Sequence, residues 1–161
     1  MKSKTQKIVL ASMLAALTCI ATMIIKIPSP MKGYINLGDC VVLVCGWILS
    51  PFYGFLAAGL GSALADIFSG YIVYAPATFV IKGLMALVAY FICKNKKNTL
   101  TRIIGGISSE IVMILGYFSF EGFLYGFSAS LLNMPANITQ GVAGLILGVV
   151  IIKLIEKSKK I

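Results

Sequence analysis

The chain has 161 residues, of which 59% are hydrophobic and 12% charged, with 14 Lys and Arg against 5 Asp and Glu. The mean hydropathy of +0.97 is far above that of soluble globular domains, so the composition predicts a membrane protein. No histidine is present, which excludes Ser-His and Cys-His nucleophile pairs, and no G-x-x-x-x-G-K-S/T phosphate loop occurs. The four cysteines form no C-x-x-C pair, so we predict neither a disulfide framework nor a metal site.

Apolar runs predict an all-α bundle of six transmembrane helices in a single domain, residues 1–161. A span needs roughly 20 apolar residues, and segments rich in Pro, Gly, Asn and Ser separate the runs. The second run is short, and it is open whether it crosses fully. The first run is expected to stay in the mature chain, because no small-residue cleavage site follows it. The predicted spans are 7–25, 37–49, 52–69, 78–93, 102–120 and 135–155.

Basic residues cluster on one side of this predicted bundle. Most of them lie before the first run, between the fourth and fifth runs, or after the last. By the positive-inside rule, both termini are expected in the cytoplasm of a multi-pass protein of the bacterial plasma membrane. These flanking charges account for the net charge of +9, so no nucleic-acid partner is expected. The residues are Lys2, Lys4, Lys7, Lys94, Lys96, Lys97, Arg102, Lys153, Lys157, Lys159 and Lys160.

Polar residues other than these collect in the outer half of the predicted bundle. Among residues within the spans, only Glu110 lies nearer the middle. Helical spacing places Glu110, Tyr117 and Glu121 on one face of the fifth span. Such sorting by depth predicts a pocket that opens to the outside. The outer polar residues are Asn36, Asp39, Asp66, Lys82, Glu121, Asn133, Asn137 and Gln140.

Asp66 and Lys82 are the charges whose place in apolar runs most needs explanation, because a lone charge in lipid is unfavourable. They either neutralise one another or hold a polar ligand; a buried pair that only fixes the bundle is the alternative. With Asp39 and Glu121 nearby, carboxylates outnumber the one lysine, which favours an uncharged or cationic ligand. Aromatic residues at the same depth favour a flat ring.

Tyrosines also occur at this depth, where any membrane protein carries an interfacial aromatic belt. That belt explains Tyr34, Tyr71 and Tyr125 as well as a site does. Tyr117 shares a face with Glu110 and Glu121, so a role in the site is favoured for it. 

Three segments carry a resemblance to a known family. They are ASMLA at 11–15, GYINLGD at 33–39 and GSALADIFSGYIVYAPATFVIKGLMA at 61–86. With these segments the chain resembles, over essentially its whole length, the substrate-binding S components of energy-coupling factor (ECF) vitamin transporters. It is most similar to the branch for pyridoxine-type vitamins or hydroxymethylpyrimidine, the thiamine precursor.

The resemblance implies a receptor subunit that delivers a small water-soluble vitamin inward with a transmembrane coupling subunit and two cytoplasmic ATPases. No cofactor is implied in this chain, since the partners use the ATP. The Ala11/Ala15 face of the first helix would contact the coupling subunit, and the loop at 26–36, with Pro28, Pro30 and Gly33, would close over the ligand. The expected substrate-binding residues are Asn36, Asp39, Asp66, Tyr74, Lys82, Tyr117, Glu121 and Asn137.

Two other classes of protein stay open at this point. A small membrane scaffold or assembly subunit without a ligand explains the spans and their small-residue stripes, but not the one-sided polar cluster. A membrane-embedded enzyme would need paired acids on the cytoplasmic side, where Glu156 is the only acid. We therefore expect no catalytic residues.

Overall fold

Two helices in this chain begin at a capping side chain. The computed structural model describes residues 3–29 and 33–158. Ser3 and Gln6 form a reciprocal capping box at the start of the first helix, and the Asn98 side chain accepts from the Thr101 amide (2.8 Å) at the start of the fifth. Within these residues the helices are α1 (Lys4–Ile24), α2 (Gly38–Ile48), α3 (Pro51–Phe68), α4 (Ala75–Cys93), α5 (Thr99–Tyr125) and α6 (Phe127–Ser158).

The short helix α2 is the centre of the bundle. Every one of its residues except Ile48 is buried. The long helices pack side by side in the order α1, α3, α4, α5, α6, and α2 packs against α1, α3, α4 and α6. Glycines allow the close approach: a Cβ at Gly144 would lie 2.6 Å from the Asp39 Cβ, and one at Gly54 would lie 3.2 Å from the Cys45 carbonyl oxygen.

Five of the six helices are long and apolar enough to cross a membrane: α1, α3, α4, α5 and α6. Large apolar side chains on their outer surfaces, such as Met13 and Phe52, are exposed, as expected beside lipid. With 11 residues, α2 reaches only roughly 16 Å, about half the hydrocarbon thickness. The prediction of six helices is confirmed, but five rather than six have the length of a full span. The orientation of the termini stays a prediction.

The segment at 121–135 was expected to be a loop between the last two spans, and this expectation is wrong. Helix α5 continues to Tyr125 and α6 begins at Phe127, so Gly126 alone separates them. Gly126 has φ +91°, a conformation that glycine adopts without steric cost. Asn133 lowered the hydropathy of this segment, yet it is buried on the inner side of α6. Hydropathy here reports where a side chain lies and not whether its backbone is helical.

A small β-hairpin occupies part of the segment expected to be a loop at 26–36. Strands β1 (Lys26–Pro28) and β2 (Tyr34–Asn36) pair antiparallel, with Lys26 opposite Asn36 and Pro28 opposite Tyr34. The Ser29 amide donates to the Gly33 carbonyl oxygen (2.9 Å) where the hairpin turns. Pro30 lies outside the described residues. The hairpin leads directly into α2 and places β2 against α1 and α6.

Candidate functional site

A polar cavity lies beneath the hairpin, at the end of the bundle opposite the basic α4–α5 loop. Its free volume is about 40 Å³, room for a few water molecules. A ring-sized ligand therefore requires the lining to move outward. The cavity is lined by Ser29, Gly33, Tyr34, Asn36, Asp66, Tyr71, Tyr74, Thr78, Tyr117, Glu121, Asn137 and Gln140.

Two buried carboxylates on this lining each keep one oxygen without a hydrogen-bond partner among the described residues. The Tyr34 hydroxyl donates to Asp66 Oδ1 (2.6 Å), and the Thr78 side chain also bonds this carboxylate, whereas Asp66 Oδ2 has no partner. The Tyr74 hydroxyl lies 3.5 Å from Glu121 Oε1, and the Asn133 side chain also bonds this carboxylate, whereas Glu121 Oε2 has no partner. Buried acceptors are normally satisfied, so these two oxygens point to a donor that the chain itself does not supply.

Tyrosines form one wall of the cavity. The rings of Tyr34 and Tyr71 are tilted with centroids 4.7 Å apart, and Tyr71 meets Tyr74 edge-on at 6.2 Å. On the other side, the Tyr117 and Thr78 hydroxyls lie 3.0 Å apart. Burial and the Asp66 carboxylate raise the pKa of Tyr34 well above the usual range of a tyrosine. Its hydroxyl is therefore a permanent donor at physiological pH.

Below the cavity lies a set of paired polar residues, Asp39, Lys82, Gln140 and Asn36, called here the Asp39 network. Lys82 forms a buried salt bridge with Asp39 Oδ1. Gln140 Nε2 donates to Asp39 Oδ2 (2.7 Å), and Gln140 Oε1 accepts from the Asn36 amide (2.9 Å). The Lys82 ammonium also lies 5.4 Å from the centroid of the Tyr117 ring. Both carboxylate oxygens of Asp39 are thus satisfied within the protein.

The structure separates the predicted site residues into two groups. Asp39 and Lys82 lie beneath the cavity and do not line it. Of the two alternatives for Asp66 and Lys82, mutual neutralisation is wrong, because α2 inserts Asp39 beside Lys82 while Asp66 pairs with Tyr34. A ligand role for either residue is untested. The ligand roles of the predicted residues stay predictions. The six that line the cavity are Asn36, Asp66, Tyr74, Tyr117, Glu121 and Asn137.

Six further lining residues were not selected from the sequence: Ser29, Gly33, Tyr34, Tyr71, Thr78 and Gln140. For Thr78 a signal existed, because it lies one helical turn before Lys82. Gln140 belonged to the outer polar cluster. Tyr34 and Tyr71 could not be separated from an interfacial belt by spacing alone, since their position depends on the hairpin and on the end of α3.

Glu110 is buried but belongs to neither set. It lies in an apolar groove between α5 and α6, with Ile107, Ile114 and Leu145 among its neighbours. Neither of its carboxylate oxygens has a hydrogen-bond partner in the described part of the chain. Among residues 3–29 and 33–158, no group of three or more His, Cys, Asp or Glu could hold a metal ion.

The Ala11/Ala15 face lies at a second apolar groove, between α1 and α3. Ala11 is buried and Ala15 half-buried, and Tyr53 and Leu60 line the opposite side of the groove. The groove has a volume of about 180 Å³ and little polar surface. The α1 face predicted to meet a partner is therefore partly used for packing inside the bundle and partly open.

Apolar helices of spanning length around a polar cavity define a membrane-embedded bundle with a site for a polar solute at one end. A family model described as "ECF-type riboflavin transporter, S component" matches residues 2–157. The chain belongs to this family. The resemblance to ECF S components is thus confirmed, and the protein is a transporter component and not an enzyme.

Individual relatives agree with this membership. A solved structure titled "Structure and mechanism of the S component of a bacterial ECF transporter" superposes with a TM-score of 0.82 and 27% identity, covering 99% of this chain and 100% of that one. The thiamine precursor transporter HmpT of Lactococcus lactis subsp. cremoris (strain MG1363) is 23% identical over 155 residues, covering 95% of this chain and 89% of HmpT. An uncharacterized protein in the gap 3' region of Pyrococcus woesei is 36% identical over 130 residues, covering 80% and 87%.

Proposed function

We propose that this S component is the receptor for a small heteroaromatic vitamin or precursor that carries amino or hydroxyl donors, with hydroxymethylpyrimidine or a pyridoxine-type compound favoured. The observation that carries the proposal is the pair of unpartnered carboxylate oxygens, Asp66 Oδ2 and Glu121 Oε2, on one tyrosine-walled cavity.

Charge supports this choice of ligand. No described residue that lines the cavity is a lysine or arginine, and the nearest buried lysine, Lys82, is bound to Asp39. A phosphorylated ligand would meet two carboxylates without a compensating cation. Amino and hydroxyl groups would instead donate to Asp66 and Glu121, each bond being charge-assisted. The ring itself would stack against Tyr71 and Tyr74.

Size and similarity support the smaller candidates. Because the free volume is about 40 Å³, a single six-membered ring requires less expansion than the three fused rings and sugar chain of riboflavin. HmpT, whose name assigns it a thiamine precursor, matches over nearly the whole chain. Riboflavin is the competing ligand, since the family model carries its name.

Transport would follow the scheme of the family. The hairpin residues Ser29, Gly33 and Tyr34 lie on the cavity, so the segment between α1 and α2 is placed to close over a ligand. The Ala11/Ala15 face would dock on a membrane coupling subunit, which works with two ATPases in the cytoplasm. The basic α4–α5 loop and the basic end of α6 would face the cytoplasm, and the cavity would face outward.

A ligand panel tests the proposal on the full chain purified in detergent. Hydroxymethylpyrimidine, pyridoxine, pyridoxamine and riboflavin are added separately, and thermal unfolding is followed. Binding to the folded state at about a thousandfold excess over Kd stabilises by about 4 kcal/mol. The expected result is a clear shift with one of the monocyclic compounds and little with riboflavin.

Charge-removing variants then locate the site. Asp66→Asn and Glu121→Gln should each weaken binding roughly 10- to 100-fold, because each loses a charge-assisted hydrogen bond. Glu156→Gln makes the same chemical change at the opposite end of the bundle and should leave affinity unchanged. A shift with riboflavin alone would transfer the assignment to riboflavin. If no compound binds, the ligand-free scaffold becomes the better hypothesis.

A further inference from the structure

A second cavity lies at the opposite end of the bundle, beside the basic α4–α5 loop, and the proposed vitamin site does not involve it. Its volume is about 200 Å³. It is formed where the ends of α2 and α4 meet the start of α3. Its lining includes Trp47, Ser50, Tyr90, Cys93, Lys94 and Lys97.

Trp47 supplies a hydrogen-bond donor to this cavity. Its side chain is only 5% exposed, and within the described residues its indole Nε1 meets no acceptor stronger than the Cys93 sulfur. The Cys93 thiol on the same lining donates to the Thr101 carbonyl oxygen (3.4 Å). A buried N–H is normally bonded, so an acceptor from outside the chain is expected here.

The electrostatic environment of the cavity is positive. Lys94 and Lys97 line it, and neither forms a salt bridge within residues 3–29 and 33–158. By contrast, Arg102 is held by Glu156 through two hydrogen bonds, one of 2.8 Å. The 18-residue helix α3 starts at this cavity, and its N-cap Ser50 makes no side-chain capping bond. The carboxyl ends of α2 and α4 lie at the same cavity, so the helix dipoles partly cancel and the positive charge of the cavity comes from the two lysines.

We propose that this cavity binds the phosphate group of an anionic phospholipid. Two lysines and an indole N–H line it, and none of its described lining residues is acidic. The Lys94 ammonium lies 5.4 Å from the centroid of the Phe91 ring, and Phe91 is 53% exposed among the lipid-facing side chains. Acyl chains would lie along this apolar surface while the phosphate enters the cavity. Lysines near the membrane surface and interfacial aromatics are the usual partners of such headgroups.

The chain offers a direct probe, since Trp47 is its only tryptophan. The full-length protein is reconstituted in phosphatidylcholine vesicles that contain a minor fraction of either brominated phosphatidylglycerol or brominated phosphatidylcholine. Bromine quenches indole fluorescence on contact. The expected result is stronger quenching by phosphatidylglycerol at equal fraction, with an apparent affinity that falls about tenfold in Lys94→Gln/Lys97→Gln.

Matched controls decide between the possible outcomes. Lys153→Gln/Lys157→Gln removes the same charge from α6 and should retain the selective quenching. In detergent, short-chain phosphatidylglycerol should stabilise the wild type more than Trp47→Phe, which keeps a ring but loses the donor. Equal quenching by both lipids, or an unchanged Lys94→Gln/Lys97→Gln variant, overturns the proposal. If inorganic phosphate abolishes the selective quenching, the site belongs to free phosphate and the lipid assignment is wrong.

Discussion

Asp39 and Asp66 are both buried aspartates in apolar helices, yet their surroundings differ in one respect. Asp39 has partners for both oxygens, a salt bridge to Lys82 and a hydrogen bond from Gln140. Asp66 has a partner for one oxygen only, and the other faces the cavity. A buried acid whose bonds are complete contributes to the fold, whereas one with an unused acceptor is available to a ligand. Residue type and depth alone do not distinguish the two.

The strongest test of this comparison is to remove the partner of the satisfied acid. In Lys82→Met the Asp39 carboxylate stays buried without its cation. We expect a loss of about 3–5 kcal/mol in the free energy of unfolding, measured by denaturant titration in detergent with circular dichroism as the signal. The double variant Asp39→Asn/Lys82→Met should recover much of this loss. A single variant within about 1 kcal/mol of wild type would contradict a structural role for the Asp39 network.

Glu110 tests the comparison from the other direction, because it has unused acceptors but does not line the vitamin cavity. Glu110→Met places an apolar side chain of similar length in the apolar groove between α5 and α6. We expect the free energy of unfolding to rise by about 1–3 kcal/mol, since the unsatisfied carboxyl is removed. Ligand affinity should stay unchanged. A loss of binding would show that Glu110 acts on the cavity through α5, and Ile114→Met provides a control for altered packing in the same groove.

The smallest expected effect is at Tyr34, whose hydroxyl donates to the one Asp66 oxygen that has a partner. Tyr34→Phe should destabilise the fold by about 1 kcal/mol, as water in the cavity replaces the lost donor. The raised pKa of Tyr34 keeps its hydroxyl protonated at pH values where an ordinary tyrosine ionises, near 10. Above that pH the unfolded chain loses this proton first, so wild-type stability falls as pH rises.

The measurement for Tyr34 is unfolding free energy against pH for wild type and Tyr34→Phe. The gap between them should be constant up to about pH 10 and then narrow, because only the wild type loses this contribution. Tyr53→Phe is the matched control, since Tyr53 lies at the groove between α1 and α3 and does not line the cavity. A gap that stays constant above pH 10 would mean that Tyr34 ionises like an exposed tyrosine.

The sequence was sufficient for the number of helices and for the end of the bundle where the cavity lies. Apolar runs set the helices, and the depth of residues such as Asp66 and Glu121 set the polar end. The pairing of Lys82 was not predictable, because Asp39 and Asp66 lie at similar predicted depth. Which one reaches the ammonium depends on where α2 inserts between α4 and α6, and that is a property of tertiary packing.

The sequence pattern also did not predict two local features, the β-hairpin and the start of α6. The strands Lys26–Pro28 and Tyr34–Asn36 are too short to show an alternating pattern, so the hairpin could not be told from a loop. The second feature is the start of α6. Pro135 and the polar residues before it predicted that the helix begins near 135, whereas the helical backbone is interrupted at Gly126. A proline inside a helix is tolerated when neighbouring packing compensates for the missing hydrogen bond.

Because a single residue, Gly126, connects α5 and α6, we expect the two sides of the cavity to differ in how easily they move apart. Helices α5 and α6, which carry Glu121 and Asn137, are joined without any slack, so they move as one unit. The connection from Ile24 to Gly38 on the other side of the cavity is far longer and is anchored by a small hairpin. A solute should therefore enter from the hairpin side, while the α5–α6 side acts as a fixed wall. Lengthening the chain at Gly126 would loosen that wall and weaken the selectivity of the site.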